Sequence, residues 1–299
     1  MSPKKKVSLF LFLTLFFSSL SYVPIIRAGT ANVHGGLFVL TMMWSPAVAA
    51  ILTQLIATRS LRGLGWRLGS ARWLVIAYIL PIVYALPVYA FTWLTGLGSL
   101  LNPYQFSPLT RQNSSPDLIT ALTVFVLIKA TKGVAETLIF SLGEEIGWRG
   151  LLVPELAKMT SFTKTALISG IVWAAWHMPG IFLADLNTSG TPNWYTAIMF
   201  AVMIIALSFP FAWLRLKSGS LWTAVLLHTT HNIFIQGVFD RLTGHGGITP
   251  YITGEFGIGL ALTTVIVAYL FWGMQREKPV QTQPIQVQPV GGPEQSSAL

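Results

Sequence analysis

Long apolar runs separated by short polar or basic stretches set the pattern of this chain. They fall at about Val7–Ile26, Gly36–Ile56, Trp73–Leu97, Leu118–Leu142, Thr165–Leu183, Tyr195–Leu216, Leu221–Phe239 and Ile252–Met274. Each is near the ~20 residues that an α-helix needs to cross a hydrocarbon core. The pattern predicts an all-α fold, a polytopic membrane helix bundle with about eight transmembrane helices. Pro81, Pro87, Gly170 and Pro210 lie inside the runs, which is tolerable where neighbouring helices or cavities satisfy the freed backbone groups. The first run follows Lys4, Lys5 and Lys6. It exceeds the ~7–15 apolar residues of a signal-peptide core, so a retained spanning helix is expected.

Composition sharpens the picture. The chain is 53% hydrophobic and only 10% charged, with a mean hydropathy of +0.63. It has no cysteine, which excludes a disulfide framework, a thiolate zinc site and a cysteine nucleophile. The formal charge of +9 does not point to nucleic acid, because the basic residues fall in short loops where they orient helices in a bilayer. With the N-terminus in the cytoplasm, fourteen of the nineteen Lys and Arg lie on the cytoplasmic side. Arg27, Arg111 and Arg241 lie outside, and Lys129 and Lys132 sit within the fourth helix. This predicts a multi-pass plasma-membrane protein with both termini cytoplasmic.

The expected organisation is N-terminal transmembrane helices over 1–117 and a helical core carrying the chemistry over 118–240. A last transmembrane helix follows within 241–276, then a disordered cytoplasmic tail over 277–299, where Gln, Pro, Gly and Ser dominate.

The chemistry is concentrated in three places. Glu144 and Glu145 stand beside Arg149, Trp173 precedes His177 by four, and His228 precedes Asn232 by four. Residues four apart share a helix face, so Glu145 pairs with Arg149 while Glu144 points elsewhere. Each group alone has a plain structural reading. The acids can be solvated at a helix end, His177 can be a helix-terminal polar residue, and the run His228–Asn232 can be interhelical hydrogen-bonding glue. Lys132 and Glu136 are expected to neutralise each other, with Lys129 on the same wet face and no part in catalysis.

Together the three groups form a kit for hydrolysis. A poorly solvated carboxylate serves as general base, one histidine orients water, and a second histidine with an amide donates to an oxyanion. The same residues permit a zinc ion with an open water position, held by Glu144, His177 and His228. A His-Glu-x-x-His motif is absent. The favoured reading requires no cofactor, with a divalent metal such as zinc as the alternative.

Glu144-Glu145-x-x-x-Arg149, Trp173-x-x-x-His177 and His228-x-x-x-Asn232, in this order, resemble the three motifs of the CAAX protease and bacteriocin-processing (CPBP, or Abi) intramembrane endopeptidases. The group includes the type II CAAX prenyl endopeptidases. The resemblance covers about Leu118 to Phe239 and departs at Trp173, where the motif usually has phenylalanine. It implies that Glu144 activates water with help from His177, that His228 and Asn232 form the oxyanion hole, and that Glu145 holds Arg149 and sets the position of Glu144. The implied activity is hydrolysis of peptide bonds in membrane-associated, lipidated or leader peptides. The implied partners are such a protein or peptide and the lipid bilayer. A proton-coupled transporter and a catalytically inactive immunity or binding protein are the competing readings. The first is disfavoured because no internal repeat is seen, the second by the complete motif set.

Overall fold

The computed structural model describes residues 1–30, 36–101, 117–184, 187, 189–244 and 246–276. The expected tail over 277–299 and most of the polar 102–117 stretch lie outside the described residues. Eight long helical segments form a bundle, and no strand occurs among the described residues. They are α1 (Pro3–Ala28), α2 (Leu37–Thr58), α3 (Ala71–Leu94), α4 (Leu118–Ala157), α5 (Phe162–Leu183), α6 (Asn193–Ser218), α7 (222–242) and α8 (Ile258–Arg276). Seven of them, all except α7, combine the length and hydropathy needed to span a bilayer. The exception is the helix carrying His228, His231 and Asn232, whose polar side chains dilute its apolar character.

The bundle has a protein-like centre and an oily exterior. α6 is the most enclosed, with 61% of its apolar window buried, against 22% for α4. The first half of α4 therefore borders lipid, while its second half runs into the core. There Trp148, Leu151, Leu152 and Val153 are almost wholly buried. Large apolar side chains such as Phe12, Leu15, Leu262 and Ile266 remain exposed on the outer helices, as lipid contact requires. α1 is bonded into the rest. Tyr22 donates to the Trp176 carbonyl at 2.8 Å and Trp176 to Ser18 at 2.7 Å. Lys6 pairs with Glu155 at 3.1 Å, and Phe10 packs edge-on against Trp148.

Two expectations change. The apolar run ending at Leu142 suggested that the acids sit near a helix end, but α4 continues to Ala157 through a π-helical stretch, Ile146–Leu152. Arg149 and Arg215 were counted with the cytoplasmic basic residues, yet they are 0% and 6% exposed. They are interior structural charges and carry no information on orientation.

Backbone contact explains why glycines flank the acids. A methyl group on Gly147 would lie 2.4 Å from Pro46 Cβ, and one on Gly143 would lie 2.8 Å from the Met43 carbonyl oxygen. The spacing Gly143-x-x-x-Gly147 thus lets α2 press against α4, as small residues do in membrane bundles. Gly147→Ala and Gly143→Ala are expected to cost about 1–3 kcal/mol each by overpacking. Gly150→Ala is the control, because its methyl would meet nothing closer than 3.5 Å. Thermal melts in detergent check this, and equal midpoints for all three variants would show that α2 does not constrain α4 there.

Candidate active site

The three groups of side chains converge. Glu144, Trp173, His177, His228 and Asn232 line one cavity of about 230 Å³, together with apolar residues such as Met42, Phe200 and Leu207. Glu144 is 2% and Glu145 0% exposed, so neither acid is solvated at a helix end. Glu144 Oε2 accepts a bond from Trp173 Nε1 at 2.8 Å and a longer one from Trp148 Nε1 at 3.4 Å. The tryptophan that departs from the usual phenylalanine therefore grips this carboxylate directly, which a phenyl ring cannot do.

Glu145 faces the other way, as its position one residue along the helix requires. Its Oε1 accepts from Arg149 Nη1 at 2.9 Å, and His228 Nδ1 stands 2.9 Å from the same oxygen. The pairing with Arg149 matches the i, i+4 expectation. The hold on His228 was not legible, because it joins residues 83 positions apart. The Arg149 guanidinium lies 4.1 Å from the Trp173 ring centre and 4.0 Å from that of Phe211. Its carbonyl accepts from Arg215 Nε at 2.7 Å.

These contacts define the protons. A carbonyl can only accept, so His177 Nδ1, 2.9 Å from the Trp173 oxygen, carries hydrogen. The neutral ring then keeps an acceptor at Nε2. The ring is clamped edge-on by Trp176 and Phe200. His228 gives its Nδ1 hydrogen to Glu145, so its Nε2 donates only when the ring is doubly protonated, with Glu145 as counter-ion.

His231 joins a second cluster on the same cavity. Its Nδ1 meets the Tyr84 hydroxyl at 2.5 Å and its Nε2 meets Glu255 at 2.9 Å; Gln236 donates to Glu255 at 2.8 Å. Tyr84, Gln236 and Glu255 were missed by sequence reasoning. The available signal was that Glu255 is one of only ten acids in an oily chain; Tyr84 gave none.

The residues proposed for zinc do not fit it as arranged. Among the described residues no three His, Cys, Asp or Glu side chains form a metal-holding group.

Known proteins bear on this geometry. Residues 116–234, which contain all three motifs, match the family model described as "Type II CAAX prenyl endopeptidase Rce1-like". This segment is similar to the CAAX protease family. Over 94 residues the chain is 31% identical to "CAAX prenyl protease 2" of Methanococcus maripaludis, covering 30% of this chain and 34% of that protein. The chain thus spans about a third of the length of the curated relative it matches. The matched segment supplies α4, α5, α6 and most of α7, whereas Tyr84 and Glu255 come from outside it.

Glu255 lies in the connector before α8, and its acidity follows from its neighbours. Burial pushes its carboxyl up, but the bond and charge of His231 and the bond from Gln236 outweigh that and leave it below the usual glutamate value. A carboxylate depressed in the folded state contributes stability above its unfolded pKa and loses it as pH falls through the folded one. The parent is expected to lose melting temperature as the pH drops below about 4. Glu255→Gln removes this part of the pH dependence. Parallel melts across pH test it, and identical profiles for the two proteins would contradict it.

Proposed function

We propose that this chain is an intramembrane endopeptidase acting on membrane-associated peptides, lipidated or leader-type. The observation that carries the reading is the convergence of Glu144, His177, His228 and Asn232, from three helices, on one sheltered cavity. A water held between the Glu144 carboxylate and His177 Nε2 loses a proton to Glu144 as its oxygen attacks the scissile carbonyl. The Asn232 amide and the doubly protonated His228 donate to the oxygen that becomes anionic. Glu144 then passes the proton to the leaving nitrogen as the C–N bond breaks. Glu145 and Arg149 position His228, and Trp173 positions Glu144.

Glu144→Gln is expected to lower hydrolysis by about 10²–10⁴-fold with an unchanged melting temperature. Trp173→Phe keeps the aromatic wall but removes the donor, and a loss of about tenfold in kcat is expected, in line with a hydrogen bond to a charged group. Turnover of a panel of prenylated and leader-type peptides by purified parent and variants measures both. Hydrolysis by Glu144→Gln at the parental rate would dismiss Glu144 as the base.

The same reading places the protein in the plasma membrane with both termini cytoplasmic. The accessible edge of the cavity, at Asn232, Gln236, Glu255 and Phe256, lies toward the connectors that this topology puts outside. Because the chain has no cysteine, Gln236→Cys gives a clean test. A membrane-impermeant maleimide is expected to label it in intact cells, and labelling only after lysis would reverse the orientation.

A further inference from the structure

Glu255 carries more than an anchor for His231 requires. His231 Nε2 and Gln236 Nε2 both stand on its Oε1, at 2.9 and 2.8 Å. Its Oε2 accepts from no described residue and is not sealed within the protein. Glu255 lines the same cavity as Glu144, and its side chain is 15% exposed. The backbone beside it is pinned, because the Gly254 N–H donates to the Tyr89 hydroxyl at 3.0 Å and that hydroxyl donates to Asp240. The open oxygen is thus a held acceptor on the cavity wall.

The charge on that carboxylate lacks a counter-ion. The Tyr84 side chain is 2% exposed, and its hydroxyl has no described hydrogen-bond partner except His231 Nδ1. A buried hydroxyl donates to what it meets, so Nδ1 accepts and the ring hydrogen sits on Nε2, toward Glu255. His231 is neutral in this arrangement. The charge that helps hold Glu255 ionised in acid needs a second proton, which costs Tyr84 its acceptor. Arg149 and His228 are taken by Glu145, and no lysine or arginine lines the cavity. A glutamine at this position would offer His231 the same acceptor without the cost of sheltering an unpaired charge. The surplus charge therefore suits something that enters the cavity. Phe200 and Phe256 also line it, with ring centres 5.7 Å apart, and aromatic faces attract cations.

We propose that Glu255 Oε2 binds a cationic side chain of the substrate peptide, a lysine or arginine beside the scissile bond; this rests on the endopeptidase reading of the cavity. His231 follows His228 by one helical turn, about 5 Å along α7. An extended peptide advances ~3.3 Å per residue. The bound side chain therefore belongs about one or two residues from the carbonyl that His228 and Asn232 face. A charge-assisted bond in this sheltered space gives a preference set by the connector before α8, outside the matched residues 116–234.

The test uses an apolar fluorescent octapeptide, blocked at both ends, with lysine, N-acetyl-lysine or norleucine at each central position in turn. A neutral version with a free amino terminus is the arm for a terminal amine. Binding is measured to Glu144→Gln protein in zwitterionic nanodiscs, which removes turnover, the other cavity acid and anionic lipid as competitors. At one position or more, lysine is expected to bind about tenfold more tightly than norleucine or acetyl-lysine, the scale of a charged hydrogen bond. The gap is expected to close in Glu144→Gln/Glu255→Gln protein. Lysine against acetyl-lysine needs no second variant, so that comparison stands even if Glu255→Gln fails to fold. Equal binding of the three side chains, no binding of any peptide, or a gap that survives Glu255→Gln overturns the proposal. So does a preference for the free amino terminus alone. Hydrolysis of the same peptides by the parent is followed in parallel. Its absence counts against the endopeptidase reading, whereas a missing lysine gap counts against Glu255, so the two failures are separable.

Discussion

A single buried carboxylate oxygen organises the interior. Glu145 Oε1 meets both Arg149 and His228 at 2.9 Å, with the three side chains 0%, 1% and 8% exposed. Ions withdrawn from water lose several kcal/mol of solvation each, and removing one partner of such a pair costs about 3–5 kcal/mol because the other is stranded. The arrangement is therefore all or none. Arg149 is sandwiched by Trp173 of α5 and Phe211 of α6, and Glu145 reaches His228 of α7. One charge cluster thus fixes the relative placement of four helices. Glu144, the neighbouring residue, is presented to the cavity as a consequence.

The backbone is shaped to the same end. An α-helix carrying adjacent acids would send its following turns away in a fixed direction. Here π-helical stretches begin directly after Glu145 and directly after Asn232. Such widened turns re-aim side chains and are frequent at functional sites. The glycines before and after the acids let α2 close against α4, which walls the cavity with Met42 and Met43. Packing, helix geometry and charge pairing thus agree on one arrangement.

The helices were legible because each must be apolar over a membrane's thickness, and hydropathy reports that directly. The i, i+4 pair of Glu145 and Arg149 was legible because it is local. The clamp of Trp173 on Glu144 was half visible. The aromatic position was recognised, but which atom an indole offers to which acid depends on the rotation of α5 against α4. Glu145 to His228 and His231 to Glu255 were hidden for the same reason, since long-range contacts are set by helix packing. The GxxxG spacing at Gly143 and Gly147 was present in the chain and went unread, overshadowed by the acids between them. The end of α4 was misplaced because the apolar run stops where the helix enters a polar core, not where it stops being a helix.

The first helix has a larger bearing on the site than its distance in sequence suggests. Ser18 and Tyr22 grasp the indole and the carbonyl of Trp176, and that indole stands edge-on to the His177 ring at 4.8 Å. At the other extreme of the chain, Glu255 and Phe256 close the cavity before the last helix. The working unit therefore extends well past the stretch that is recognisable by similarity. A fragment trimmed to 116–234 would carry every motif residue and still lack the supports that aim them.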